Sequence, residues 1–190
     1  MLLLVAASLV GSATGRAAPD ATAAVSADTA RDPIVTTCPG SAVEYELGDA
    51  QNLAYVQRDR LDSVDVQLRR RGSRLDGRIK RLRVELELND GQIVGVFGDR
   101  SISLRTERLR GQLRIDGMFG ARAIALTLDP QALLGEVGLC RFSLAQRRGS
   151  YVGHVFCGGD PLRVRLTIPV SLAARGDVEL AAMLTSLLVA

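Results

Sequence analysis

The segment Gly95-Val96-Phe97-Gly98-Asp99-Arg100-Ser101-Ile102-Ser103-Leu104 carries the spacing that decides the fold of this 190-residue chain. A small residue is followed after seven positions by an apolar residue and after nine by leucine. This spacing occurs six times, at steps of 18, 18, 22, 18 and 22 residues. The small positions are Asp59, Gly77, Gly95, Gly117, Gly135 and Cys157, and the leucines are Leu68, Leu86, Leu104, Leu126, Leu144 and Leu166. A repeat of this length is a supersecondary unit.

Each repeat predicts a strand, a turn and a second strand. Apolar residues stand two apart on both sides of a short polar gap, which places alternate side chains on one face of a sheet. Residues 82–88 alternate in this way between apolar and charged side chains, whereas helical periodicity would place charges on the apolar stripe. Folding the repeat about residues 98–101 predicts that Gly95 pairs with Leu104 and Phe97 with Ile102. The same register pairs Phe119 with Ile124 and Gly117 with Leu126.

The repeats together predict an all-β fold, an antiparallel meander of about six hairpins with a short C-terminal helix. A sheet with one apolar face must close or stack to bury it, and a closed barrel, a prism-like arrangement and a folded-over sheet all do so. Asp177 is expected to cap a helix over residues 178–190 that packs on the sheet. The short strands and charged outer face do not fit an outer-membrane barrel, so we expect a protein that does not span a membrane.

The N-terminal region predicts export to the periplasm or outside the cell. Residues 2–10 form an apolar run that ends in small residues, as in a secretory signal. No Lys or Arg precedes it, so the signal is atypical or its true start lies upstream. We assign residues 1–18 to a signal peptide, 19–36 to a disordered linker and 37–190 to a single β-repeat domain.

The three cysteines favour a disulfide between Cys140 and Cys157. Both are equidistant from the turn at residues 148–149, and that register sets Phe142 against Val155. The alternatives are two buried thiols or a bridge to Cys38. A metal site is not expected, because His154 is the only histidine and the cysteines lack the short paired spacing of zinc sites.

Charge is concentrated in the first half of the predicted domain. Residues 58–114 contain fifteen basic and nine acidic residues. The basic residues of greatest interest form a candidate anion-binding patch, namely Arg69, Arg70, Arg71, Arg74, Arg78, Lys80, Arg81 and Arg83. The alternative is a solvated sheet face whose arginine content reflects genome composition. Nucleic acid is not expected as a partner because of the predicted export and the few aromatic residues, whereas an anionic surface or polymer fits the patch.

The sequence contains no catalytic motif and no motif for a cofactor, so no catalytic residue and no cofactor are assigned. The sequence leaves open whether the chain is an enzyme, although it favours a non-enzymatic protein. The leading interpretation is an exported, non-enzymatic β-repeat protein that binds or scaffolds. One alternative is a carrier of a small ligand or lipid inside a barrel. The other is an enzyme with a site near His154, which alternates against the core-facing Val155.

Overall fold

A computed structural model describes residues 42–47 and 50–190, in which fourteen antiparallel strands form one closed barrel. The predicted signal peptide, the predicted linker and Cys38 lie outside these residues. The strands, in chain order, are β1 Ala42–Leu47, β2 Ala50–Val56, β3 Arg60–Asp62, β4 Val66–Arg71, β5 Arg74–Ile79, β6 Leu82–Asn89, β7 Gln92–Phe97, β8 Arg100–Leu109, β9 Gln112–Phe119, β10 Arg122–Leu128, β11 Ala132–Val137, β12 Cys140–Arg147, β13 Ser150–Phe156 and β14 Leu162–Thr167. Two helices follow, α1 Val170–Ala173 and α2 Asp177–Val189. The all-β meander of repeated hairpins is confirmed, and of the three closures considered the barrel is the one observed.

The repeated leucines line the inside of the barrel. All six are 0–2 % exposed, and they share one buried cluster with the apolar residues that stand two before them on each strand. Charged and polar side chains occupy the alternate positions and face outward. The period of two therefore separates an apolar inner wall from a charged outer wall.

The repeated glycines face the leucine of the preceding repeat. Gly95 pairs with Leu86 on β6 and with Ile102 on β8, and Gly117 pairs with Leu104. A Cβ atom at Gly95 would lie 1.9 Å from the carbonyl oxygen of Glu85. Comparable distances of 1.8 to 2.1 Å occur at Gly77, Gly117, Gly135 and Gly153. Glycine is thus required because the backbones of neighbouring strands approach more closely than any side chain permits.

The predicted register of the hairpins at residues 98–101 and 120–121 was wrong. Phe97 pairs with Arg100, not Ile102, and Gly117 pairs with Ile124, not Leu126. The cause is the turn: residues 98 and 99 alone close the first hairpin, with Gly98 at φ +63°. A two-residue turn of this kind suits glycine and shifts every pair by two positions relative to a four-residue turn.

Strands β1 and β2 close the barrel and carry no copy of the repeat. Strand β1 pairs with β14 through Glu44 and Thr167, and with β2 on its other side. Val43 and Ala54 belong to the core and are only 1 % and 2 % exposed, respectively. The repeat array alone would leave β3 and β14 as unpaired edges, and these two strands remove them.

Helix α2 lies inside the barrel. Its residues 179–189 are all buried, and they belong to the same cluster as the inner wall. A helix that is apolar all round must be surrounded by protein, and fourteen strands enclose more space than wall side chains alone can fill. The hydroxyls of Thr185 and Ser186 donate to the backbone oxygens of Ala181 and Ala182 at 2.7 Å, so they bring no unsatisfied polar group into the core.

The two ends of α2 define two rims of the barrel. The proximal rim holds the start of α2 and the turns at 57–59, 72–73, 90–91, 110–111, 129–131 and 148–149. The distal rim holds the end of α2 and the turns at 63–65, 80–81, 98–99, 120–121, 138–139 and 157–161. The helix is about 20 Å long at 1.5 Å per residue, which matches the height of a wall in which all strands but β3 and β8 have six to eight residues.

The predicted cap of α2 was wrong. Gly176 occupies the cap position, and no side chain bonds to the first turn there. Asp177 is the first helical residue, and its carboxylate accepts hydrogen bonds from Arg108. Asp177 therefore pairs with Arg108 of the barrel wall and does not cap the helix.

Candidate functional site

The predicted basic patch spans the outer wall of β4, β5 and β6 and the turn between β5 and β6. Arg69 and Arg71 lie in the outward phase of β4, Arg74 and Arg78 in that of β5, and Arg83 in that of β6. Lys80 and Arg81 form the turn at the distal rim. The structure therefore brings seven of the eight predicted residues to one face of the barrel.

Arg70 is the predicted patch residue that lies elsewhere. It shares the inward phase of Val66 and Leu68, and its guanidinium donates to Oε2 of Glu179 on α2. Glu179 is only 3 % exposed, and its other carboxylate oxygen accepts from Arg175 at 2.9 Å. A buried carboxylate requires such partners, so the Arg70 guanidinium, although 41 % exposed at the proximal rim, is already paired with the start of the helix.

Two further contacts hold α2 at its ends. Arg108, on the inward phase of β8, donates from Nε to both carboxylate oxygens of Asp177, at 2.9 and 2.8 Å. This hydrogen bonding lowers the pKa of the Asp177 carboxyl. At the distal rim, Arg122 donates to the backbone oxygen of Val189. Acids at the start of the helix and a cation at its end both complement the helix dipole.

The outer wall of β4–β7 forms an open concavity of about 1010 Å³. Its charged lining consists of Arg71, Arg74, Arg78, Arg81 and Arg83 with Asp76, Glu85 and Glu87. The lining also includes Gly77 and Gly95, the positions of closest strand approach. The concavity is therefore a polar groove on the outside of the barrel, not a chamber within it.

The acids neutralise part of this groove and leave its distal end positive. Asp76 lies 3.8 Å from Arg71, and Glu85 pairs with Arg83 on the same strand. Glu87 faces Arg74 across β5 and β6. Glu85 faces Asp76 across the same two strands.

Arg78 and Arg83 stand directly opposite each other on β5 and β6. Like charges at opposed positions of a sheet repel. Within the described part of the chain, neither Arg78 nor the adjacent Lys80 and Arg81 makes a side-chain hydrogen bond or an ion pair. The distal end of the groove is consequently a cluster of four cations, of which only Arg83 has an acidic partner among the described residues, Glu85.

The disulfide joins Cys140 and Cys157 beside the distal rim, with their Cα atoms 4.1 Å apart. The register that predicted it is observed, since Phe142 pairs with Val155 and Leu144 with Gly153. The bond ties the start of β12 to the residue that follows β13. It fixes the hairpin of β12 and β13 without entering the basic groove.

His154 lies exposed on the outer wall, opposite Ser143 on β12 and Arg163 on β14. No carboxylate faces it in either pairing. Across residues 42–47 and 50–190, no three His, Cys, Asp or Glu side chains are grouped so that they could hold a metal ion. Ser143 is the only hydroxyl residue paired with His154 in the described wall, and no hydrogen bond joins the two side chains.

Comparison with known proteins yields no relationship: the chain matches no family model, no curated protein and no solved structure. Neither described helix has the length and apolar content needed to cross a membrane.

Sequence reasoning found the cations but missed how they are arranged. The number of arginines in the sequence did not show that Arg70 pairs with Glu179 whereas Arg78 and Arg83 face each other. Strand phase offers a signal for the first distinction, because Arg70 continues the Val66–Leu68 alternation. The correct register of the hairpin of β5 and β6 would have shown that Arg78 and Arg83 are opposed.

Proposed function

We propose that this chain is an exported, non-enzymatic barrel that binds an anionic macromolecule or surface at the distal end of its basic groove. The observation that carries the proposal is the opposed pair Arg78 and Arg83, with Lys80 and Arg81 beside it and no acid relieving three of the four. An anion bridging these side chains turns their repulsion into attraction.

The chemistry of the groove suits phosphate, sulfate or carboxylate groups. Guanidinium groups present planar donors that match two oxygens of such groups at once. Because the groove is open along β4–β6, it accommodates an extended or flat partner more readily than an enclosed small molecule.

Two features support export. The disulfide between Cys140 and Cys157 is typical of proteins that mature in an oxidising compartment, and the apolar run in residues 2–10 is typical of a secretory signal. The space where a carried ligand would sit holds helix α2. A protein that only binds a partner on its outer wall or acts as a scaffold would not need α2 to move.

The test measures retention of the oxidised protein on immobilised polyphosphate as salt is raised. The double variant Arg78→Gln/Arg81→Gln should elute at clearly lower salt than wild type. Since the whole protein is basic, with a pI near 9.0, the control is Arg147→Gln/Arg148→Asn, which removes two cations from the proximal rim. Equal elution of the two variants would mean that net charge, not the groove, holds the polymer, and the proposal would fail.

A further inference from the structure

We propose that the anionic partner is a phospholipid bilayer containing acidic lipids, and that the protein meets it with one corner of the distal rim. This distal corner consists of Val64, Arg78, Lys80, Arg81 and Leu82. The inference rests on the function proposed above and names the surface that the groove recognises.

The corner is one continuous surface. The turn at residues 63–65 carries Val64, and the turn at residues 80–81 lies beside it, because the backbone N–H of Lys80 donates to the carbonyl oxygen of Asp65. Leu82 directly follows this turn as the first residue of β6. Arg78 lies two residues before the turn on the outward phase of β5, whereas Leu82 lies on the inward phase of β6, so the cations and the exposed apolar side chains meet at the rim itself.

The apolar members of the corner are exposed to an extent that packing does not require. Val64 is 90 % exposed at the tip of its turn, and Leu82 is 49 % exposed. Val96, on the neighbouring β7, adds a further 41 % exposed side chain. Water-exposed apolar side chains beside basic residues are the combination by which proteins bind the interface of an anionic bilayer.

This combination distinguishes a bilayer from a soluble anionic polymer. A polymer needs only the cations, whereas a bilayer also takes up the apolar side chains at the level of its headgroups. The proximal end of the same groove offers Arg71 and Arg74, with Asp76 and Glu87 beside them, and the turn between them consists of Gly72 and Ser73. Only at the distal end of the groove do exposed apolar side chains, Val64 and Leu82, lie beside the basic residues.

Acidic residues near the corner limit the strength of this attraction. Asp62 and Asp65 flank Val64, and Asp99 occupies the next turn along the rim. Arg83 is already paired with Glu85. The attraction therefore depends on Arg78, Lys80 and Arg81, and each basic residue at an anionic surface contributes roughly a five-fold gain in affinity.

The test is co-sedimentation of the oxidised full chain with vesicles of equimolar phosphatidylglycerol and phosphatidylcholine. Pure phosphatidylcholine vesicles should retain little protein. The variant Lys80→Asn/Arg81→Gln should bind the acidic vesicles about 25-fold more weakly, given five-fold for each charge. Its control, Arg147→Gln/Arg148→Asn, changes a matched turn, since Lys80 and Arg148 have φ of 54° and 52°. The control should bind nearly as wild type.

The apolar contribution is tested separately with Val64→Ser/Leu82→Ser, which keeps every charge. This variant removes five side-chain carbons and should lose at least about ten-fold in vesicle binding, since burial of only two methylene-sized groups, at about four-fold each, gives about sixteen-fold. Its retention on polyphosphate should not change. Val170→Ser, at an 83 % exposed residue near the proximal rim, is the matched control, and melting curves verify that each variant is folded.

The outcomes separate the two proposals. If wild type is retained on polyphosphate but not on vesicles, or if Val64→Ser/Leu82→Ser binds vesicles as tightly as wild type, the bilayer is not the partner although the groove still binds anions. If wild type binds neither vesicles nor polyphosphate, the proposed function fails as well.

Discussion

Substitution of Gly95 by alanine tests whether strands β6 and β7 approach as closely as described. The new Cβ atom would lie 1.9 Å from the carbonyl oxygen of Glu85 and 3.0 Å from the Cα of Leu86. Because Cβ contacts under 3.0 Å essentially never occur, the strands must separate locally by about 1 Å. Overpacking costs roughly 1–3 kcal/mol, and two weakened backbone hydrogen bonds cost roughly 1 kcal/mol each.

Alanine also restricts the unfolded chain, which offsets about 0.4–1 kcal/mol of this cost. The net loss in the free energy of unfolding should be about 3 kcal/mol, equivalent to a fall in Tm of about 6–12 °C for a domain of this size. Urea unfolding followed by far-UV circular dichroism measures it, since the chain has no tryptophan. The disulfide is kept oxidised throughout.

Gly159→Ala is the matched control. No atom lies within 4 Å of its added Cβ, and its backbone is not in the left-handed region. Its free energy of unfolding should stay within about 0.5 kcal/mol of wild type. If Gly95→Ala is as stable as Gly159→Ala, the close approach of β6 and β7 does not exist in solution, and the explanation of the glycine repeat is wrong.

Three further predictions follow from the core, the helix anchor and the N-terminus. Leu104→Ala should lower the free energy of unfolding by about 2–5 kcal/mol and Leu109→Ala, exposed on the same strand, by under about 0.5 kcal/mol, as urea titrations would show. The pKa of Asp177 is lowered in the fold by Arg108, so its contribution is present at neutral pH and is lost as pH falls through its folded pKa. Wild type should thus exceed Asp177→Asn in stability at pH 7 and converge with it below the ordinary carboxyl range. Mass spectrometry of the exported protein should find a mature N-terminus within residues 13–24, and an intact Met1 in a cytoplasmic form would contradict export.

The sequence predicted the parts of this fold that depend on local alternation. The leucines of the repeat are buried because a period of two leaves them no other face. The disulfide followed from the same arithmetic, since the turn at Arg148 and Gly149 has two residues and places Cys140 near Cys157. Where the assumed turn length was wrong, at Gly98, the register was wrong by two residues.

Features that depend on contacts between residues far apart in the chain were not predicted from the sequence. The expectation that α2 packs on the sheet missed one local signal, since residues 180–189 carry no charged side chain on any face of the helix. Strand β1 alternates Val43 and Tyr45 but belongs to no repeat, so its role in closure was not visible. The pairing of Arg70 with Glu179 joins residues far apart in the chain, and for that reason one predicted patch residue proved to be an internal anchor.

Enclosure of α2 imposes an order on folding. The helix follows every strand in the sequence, yet the wall must surround it, and the closing pair joins β1 to β14 from opposite ends of the described chain. A partial chain that ends before α2 can form hairpins but has nothing to fill the space they enclose. Contacts of such high sequence separation make folding slow. Completion of the barrel is thus coupled to the arrival of its last helix, and until then the apolar inner wall stays open to water, to chaperones and to neighbouring chains.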